Sequence, residues 1–309
     1  MKPQSLLIAI VAGTTSVVLL AAGLAGTALA LPLMVLSPLP IAIAGLGWGS
    51  LAGLVAAIIG SFLLSVVFVG FSGVFFAIII ALPMAYLVHL IGLSRQDDPA
   101  LPEEWFPVGD VLFRAIIIGG IVVGSVLIVS GFDISEVTAA AHSSFDDALK
   151  TLDPRARDAM LKAIDFQVRL TPYSMAMVWL LVVWLNLWLA IKVAKTSDRL
   201  RRPSFRLRDA DLPLYTLALF GAGIVISFIP APLGFAGAAF VGIIAMALII
   251  LGFNTLHVIT ARNPLRGMLL TFVYFGTILI GLPAIAIFLI GLLDLVFKLR
   301  NRYRTAHPD

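Results

Sequence analysis

"LPLMVLSPLPIAIAGLGWGS", residues 31–50, carries Pro32, Pro38 and Pro40 in a run without a single charge. Proline removes a backbone donor and breaks a helix interior, so the stretch is legible only once its solvent is known. Composition supplies that. Of 309 residues, 61% are hydrophobic and 12% charged, against about 25% charged in a soluble domain. Residues 3–94 contain no Asp, Glu, Lys or Arg, and His89 is the only side chain there that titrates near neutral pH. Such a run is several times the roughly 20 residues that cross a bilayer. The chain reads as all-α, a polytopic transmembrane bundle of about eight to ten segments surrounded by lipid.

Working outward from residues 31–50, the start also fits a signal peptide, with Lys2 as its charged region and Ala28-Leu29-Ala30 as a cleavage site. The apolar stretch from Ser5 to Ala30 exceeds the usual core of about 7–15 residues, so Leu6–Leu29 is read as the first span. Further spans are expected near Leu33–Leu46, Leu51–Val69, Val74–Leu93, Val111–Ser130, Met175–Val193, Pro213–Ile229 and Phe235–Phe253. The last apolar block, Gly267–Phe297, is either one long tilted helix or a hairpin broken at Gly281-Leu282-Pro283; basic segments on both sides of it favour the even crossing of two short spans or a re-entrant pair.

The longest polar interval is residues 131–171. Asp133 with Glu136 fits a capping box, and Asp153-Pro154 places a capping carboxylate before a first-turn proline. Met160, Leu161, Ile164 and Val168 form one apolar stripe. The interval therefore reads as amphipathic helices on or over the membrane surface. This divides the chain into an N-terminal transmembrane part (1–130), the helical loop (131–171), a C-terminal transmembrane part (172–298) and a basic tail (299–309).

Charge sets the expected orientation. Lys192, Lys195, Arg199, Arg201, Arg202, Arg206 and Arg208 follow the sixth span. Arg262 and Arg266 follow the eighth, and Lys298, Arg300, Arg302 and Arg304 close the chain. Positive residues concentrate in cytoplasmic loops, so both termini are expected in the cytosol and 131–171 outside. The net charge of +4 is then accounted for by contact with anionic lipid rather than nucleic acid.

Ionisable groups at membrane depth are scarce. Asp110 with Arg114, and Asp294 with Lys298, are spaced as i,i+4 pairs at helix ends. Small residues (Ala21, Ala22, Ala25, Gly26 and Ala30, then Gly45, Gly47, Gly49 and Gly53) allow close helix approach, within the bundle or to a membrane partner. The histidines 89, 142, 257 and 307 lack metal-ligand spacing. No nucleophile elbow, zinc-protease or phosphate-loop motif occurs, and the chain has no cysteine. Neither an enzyme nor a cofactor is expected. Trp179, Trp184 and Trp188 recur at about helical spacing and read as lipid-facing packing.

Irregular backbone at membrane depth survives only where protein or a water-filled cavity covers it. Transporters build sites from such interrupted segments. The expected site for a small, mostly apolar or amphipathic molecule lies between the two halves, drawing on Pro38, Pro40, Trp48, His89, Asn186 and Tyr274. A plain outer turn at 31–40, in a scaffold of the cell envelope, is the alternative.

The stretches WLNLWLA (184–190), LPLY (212–215), LHVITAR (256–262), IGLLDLVFKLR (290–300) and WFPVG (105–109) resemble the YybS-like family of bacterial membrane proteins. That family is a domain family of unknown function, so the resemblance implies a bacterial inner-membrane location and transfers no catalytic residues. The proline-rich start with GLGWG (45–49) and GVFFA (73–77) is similar to substrate-binding subunits of energy-coupling-factor vitamin transporters. That likeness implies small-molecule binding and a membrane partner, although this chain has about four more spans than those subunits.

Overall fold

The structure is a computed structural model that describes residues 1–306 except Ala25, Val69, Pro99, Leu101, Ser204 and Arg206, and the side chain of Arg208. The readings made above for Ala25, Arg206, the Arg208 side chain and His307 lie outside the described residues.

Helix α1 (Pro3–Gly23) is followed by α2 (Ala30–Val35), α3 (Leu39–Trp48) and α4 (Ser50–Val67). Helix α5 (Ser72–Phe76) continues through a π-helical segment, Ala77–Ala81, into α6 (Leu82–Ile91). A two-residue hairpin, β1 (Ser94–Arg95) with β2 (Glu104–Trp105), precedes α7 (Val108–Val129). The polar interval holds α8 (Ile134–Ser144), the short α9 (Asp146–Lys150) and α10 (Pro154–Arg169). Then come α11 (Thr171–Thr196), α12 (Tyr215–Ser227), α13 (Leu233–Ile259), α14 (Arg266–Leu279), α15 (Leu282–Phe297) and α16 (Leu299–Ala306).

Among the described residues, 7 helical stretches are long and apolar enough to cross a membrane, with α2–α3 and α5–α6 each counted as one. The chain is an integral membrane protein built as an all-α bundle. Its outer faces are as apolar as its interior: Phe62, Phe71, Phe272 and Ile278 are 66%, 76%, 77% and 79% exposed. In water that surface would aggregate; in lipid it needs no cover.

Several boundaries depart from the sequence reading. α1 stops at Gly23, and Gly26 at φ 69° turns the chain, so Leu24 and residues 26–29 are not part of the first span. The sixth span is longer than expected because Pro172 starts it in the first turn, where its missing N–H costs nothing. The last apolar block does break where the hairpin reading placed it, with α14 and α15 meeting at a bend of 117° around Gly281. α12, with 13 residues, is shorter than the spans around it.

Close packing follows the small residues. Gly49, at φ 100°, makes the turn between α3 and α4, and a Cβ at Gly53 would stand 2.9 Å from the Gly45 Cα. This part of the small-residue face is consumed within the chain. Helices α7 and α13 run antiparallel, with Gly120 against Phe240 and Gly124 against Ala236. One buried core extends from Ala9 to Leu295, so the two transmembrane parts share an interior.

At one end of the bundle the basic segments converge. Arg202 donates to the Phe106 carbonyl (2.9 Å) and, at 3.4 Å, to that of Ile91, closing the end of α6. Burial pulls the Arg202 pKa down from its ordinary value. Lys298, in the left-handed region at φ 53°, turns the chain from α15 into α16. The Arg300 guanidinium meets the Asp294 carboxylate (Nε–Oδ2, 2.7 Å) and donates to the Ala210 carbonyl. Lys298 pairs instead with Asp211, at 2.7 Å. The expected Asp294–Lys298 pair is thus replaced, because the reversal at Lys298 carries its ammonium away from α15. Asp110 and Arg114 are both exposed, and among the described residues no ion pair joins them.

At the opposite end, Asp133 caps α8 through the Ser135 and Glu136 amides, and Asp153 caps α10 through those of Arg155 and Ala156. His142 Nε2 lies 2.8 Å from Asp165 Oδ1 and ties α8 to α10. Hydrogen bonds from the Ser135 hydroxyl and amide hold the Asp133 carboxyl below its usual range.

Candidate functional groove

Two of the spans are interrupted, and prolines explain both. In an unbroken helix the Leu36 carbonyl would be served by residue 40 and that of Met34 by residue 38; both are prolines without an N–H. The turn tightens instead: Ser37 N–H goes to Met34 O and Leu39 N–H to Leu36 O. The Val35 carbonyl, which Leu39 would have served, is left over, and Asn186 Nδ2 donates to it at 2.8 Å. The Ser37 carbonyl accepts from the Ser16 hydroxyl. In the second case residue 83, the helical partner of the Ile79 carbonyl, is again a proline. The backbone widens to a π segment over 77–81, and Trp179 Nε1 donates to Ile79 O at 2.7 Å.

Trp179 and Asn186 are seven residues apart on α11, two turns along one face. A single helix therefore repairs both interruptions. Between them lies an apolar groove of about 400 Å³. Its walls are Met34, Val35 and Pro38 at the first break, Ile79 and Ile80 in the π segment, Val122, Val123 and Val126 of α7, and Met175, Val178, Trp179 and Val183 of α11. Ser174 also lines it, with its hydroxyl donating to the Thr171 carbonyl at 3.1 Å. Among the described residues, no titratable side chain lines it. The arrangement can hold apolar matter and exclude water; it offers no acid, base or free nucleophile. Two other cavities of similar size, of about 380 and 320 Å³, lie at the hairpin end and under α8. Neither adjoins a helix interruption.

The expected site residues separate into three places. Pro38 lines the groove and Asn186 supports its wall, fully buried. Pro40 sits in the first turn of α3 outside the lining. Trp48 lies at the basic end of α3, where the Arg199 guanidinium stands 5.3 Å from its ring centroid. His89 faces outward from the last turn of α6. Tyr274 stacks on Phe253 at 4.6 Å, and its hydroxyl lies 2.9 Å from His257 Nε2. Arg266, which can only donate, approaches His257 Nδ1 at 3.4 Å, so Nε2 carries the proton and donates to Tyr274.

Trp179 and Trp184 are buried, at 8% exposure each, which corrects their reading as lipid-facing. The indole N–H of Trp179 needs an acceptor, and the π segment supplies one inside the bundle. Trp188 remains outward, beneath the Lys192 ammonium at 4.0 Å. The π segment and the role of Trp179 were missed; Pro83 in an otherwise uninterrupted apolar run was the available signal.

Neither family models, curated proteins nor solved structures give a match to this chain.

Proposed function

We propose that this chain is a transport-related, multi-pass protein of the bacterial cytoplasmic membrane that binds a small, mostly apolar or amphipathic molecule in the groove between α2, the π segment, α7 and α11. One observation carries the reading: two separate spans are interrupted at the same groove. Helix interruptions are costly in lipid, and π segments concentrate at functional sites. Two of them converging on one apolar hollow favours a binding wall over chance. Because no reactive side chain faces the hollow, the reading is of binding without catalysis, with no cofactor. The basic end is taken as cytoplasmic, and the motif resemblance to YybS-like proteins and vitamin-binding subunits agrees with a bacterial membrane and a small ligand.

Val178 lines the groove and is 55% exposed, so a larger side chain there can fill the hollow without entering the core. The purified chain is expected to carry a non-detergent small molecule in native mass spectrometry, and Val178→Trp is expected to lose it. Retention of the same adduct by Val178→Trp overturns the groove as its site.

A scaffold reading has one observation of its own. Phe145, Leu152, Met160 and Phe166, on and between the helices of the 131–171 loop, are 39–63% exposed. A protein partner that co-purifies with the intact chain and is lost on Phe166→Ser would favour that reading.

A further inference from the structure

The first break leaves polar atoms that its neighbours do not use. Ser16, Ser37 and Asn186 have no exposed surface at all. The Ser37 hydroxyl and the Asn186 Oδ1 are buried and, among the described residues, without a hydrogen-bond partner. They belong to one place: Asn186 Nδ2 holds the Val35 carbonyl at 2.8 Å, Ser16 holds the Ser37 carbonyl, and residues 35–37 span less than a helical turn. The unserved atoms are both oxygens, and the Val35 and Ser37 carbonyls each keep a second lone pair. Oxygen atoms from α1, the α2–α3 break and α11 thus surround one buried helical turn, residues 35–37. Residues 3–94 and 171–191, which surround it in sequence, contain no Lys or Arg to oppose a cation.

Hard cations take oxygen ligands, and in broken spans the unwound carbonyls and helix C-terminal ends are where Na⁺ is held. We propose that the Ser37–Asn186 break binds a dehydrated Na⁺ ion, which supplies the coupling ion for the transport reading above, on which this role rests. With no exposed surface at any of the three residues, an ion here sheds its water shell, and the tight packing favours the smaller Na⁺ over K⁺. A proton is poorly served here: the acid buried in the apolar helices, Asp294, is engaged by Arg300.

Thermal unfolding of the full chain in detergent, with no substrate added, tests the site apart from the groove. The midpoint in NaCl is expected to exceed that in equal KCl by about 2 °C or more at saturation. Ser37→Ala removes only the unpartnered hydroxyl. It is expected to unfold no earlier than the natural chain in KCl and to lose the Na⁺-specific rise. Equal midpoints in NaCl and KCl, or a rise that survives Ser37→Ala, overturn the proposal. Val178→Trp is expected to keep the rise, so failure of the ion site and failure of the groove are read separately.

Discussion

The break at Pro38–Pro40 and the break at Gly281–Pro283 carry the same signature, small and cyclic residues inside an apolar run, and end in opposite environments. At the first, Ser16 and Asn186 reach in from neighbouring helices to take the stray carbonyls. At the second, Leu279, Ile280 and Leu282 are 74%, 67% and 68% exposed, and the amides of Ile280 and Gly281 fold back on the Gly276 carbonyl. The second break looks after itself; the first depends on other helices. The reversal at Lys298 belongs with the first, since Asp211 and the Ala210 carbonyl hold it from outside α15 and α16. Dependence on outside partners, rather than the breaker residues, separates an interior wall from a surface bend.

Mutations can break that contrast in order of size. Arg300→Met leaves the Asp294 carboxylate, 1% exposed, without its partner. Removing one member of a buried pair costs about 3–5 kcal/mol, so this variant should show the largest fall in unfolding midpoint. Asn186→Leu keeps the volume but strands the Val35 carbonyl, at about 1–3 kcal/mol. A midpoint equal to that of the natural chain would show that the break needs no staple. Pro283, half-buried at the self-sufficient bend, serves no stray carbonyl, and Pro283→Ala should stay within about 1 kcal/mol. An effect as large as that of Asn186→Leu would erase the distinction. Smallest is the cap on α8, where water can replace the lost bond. The folded-state pKa of Asp133 is lowered by Ser135. Its contribution is therefore present above the ordinary Asp pKa of about 3.9 and lost as pH falls through the lowered folded value. Amide exchange in α8 should accelerate over that window, and in Asp133→Asn the acceleration should vanish.

What could be read without coordinates was whatever is local. The apolar runs that became α4 and α7 were placed within a few residues, and the caps at Asp133 and Asp153 were found because side chain and amide lie within three residues of each other. The donors that matter at the groove were not placed. Trp179 reaches 100 residues back to Ile79, and Asn186 reaches 151 back to Val35. In a helix apolar all round, periodicity does not say which face meets which neighbour. Asn186 was singled out because a buried amide needs partners; the identity of those partners required the fold. Tyr274 and His89 were chosen on the same polar-in-apolar grounds and landed elsewhere, since scarcity marks a residue without locating it.

The reach of α11 also imposes an order of events on biosynthesis. Asn186 emerges 151 residues after the carbonyl it serves, a gap of roughly 8–30 s at ordinary elongation speeds. Throughout that interval the Val35 carbonyl lacks the side chain that serves it in the finished bundle, so the N-terminal half cannot complete its own interior before α11 is made.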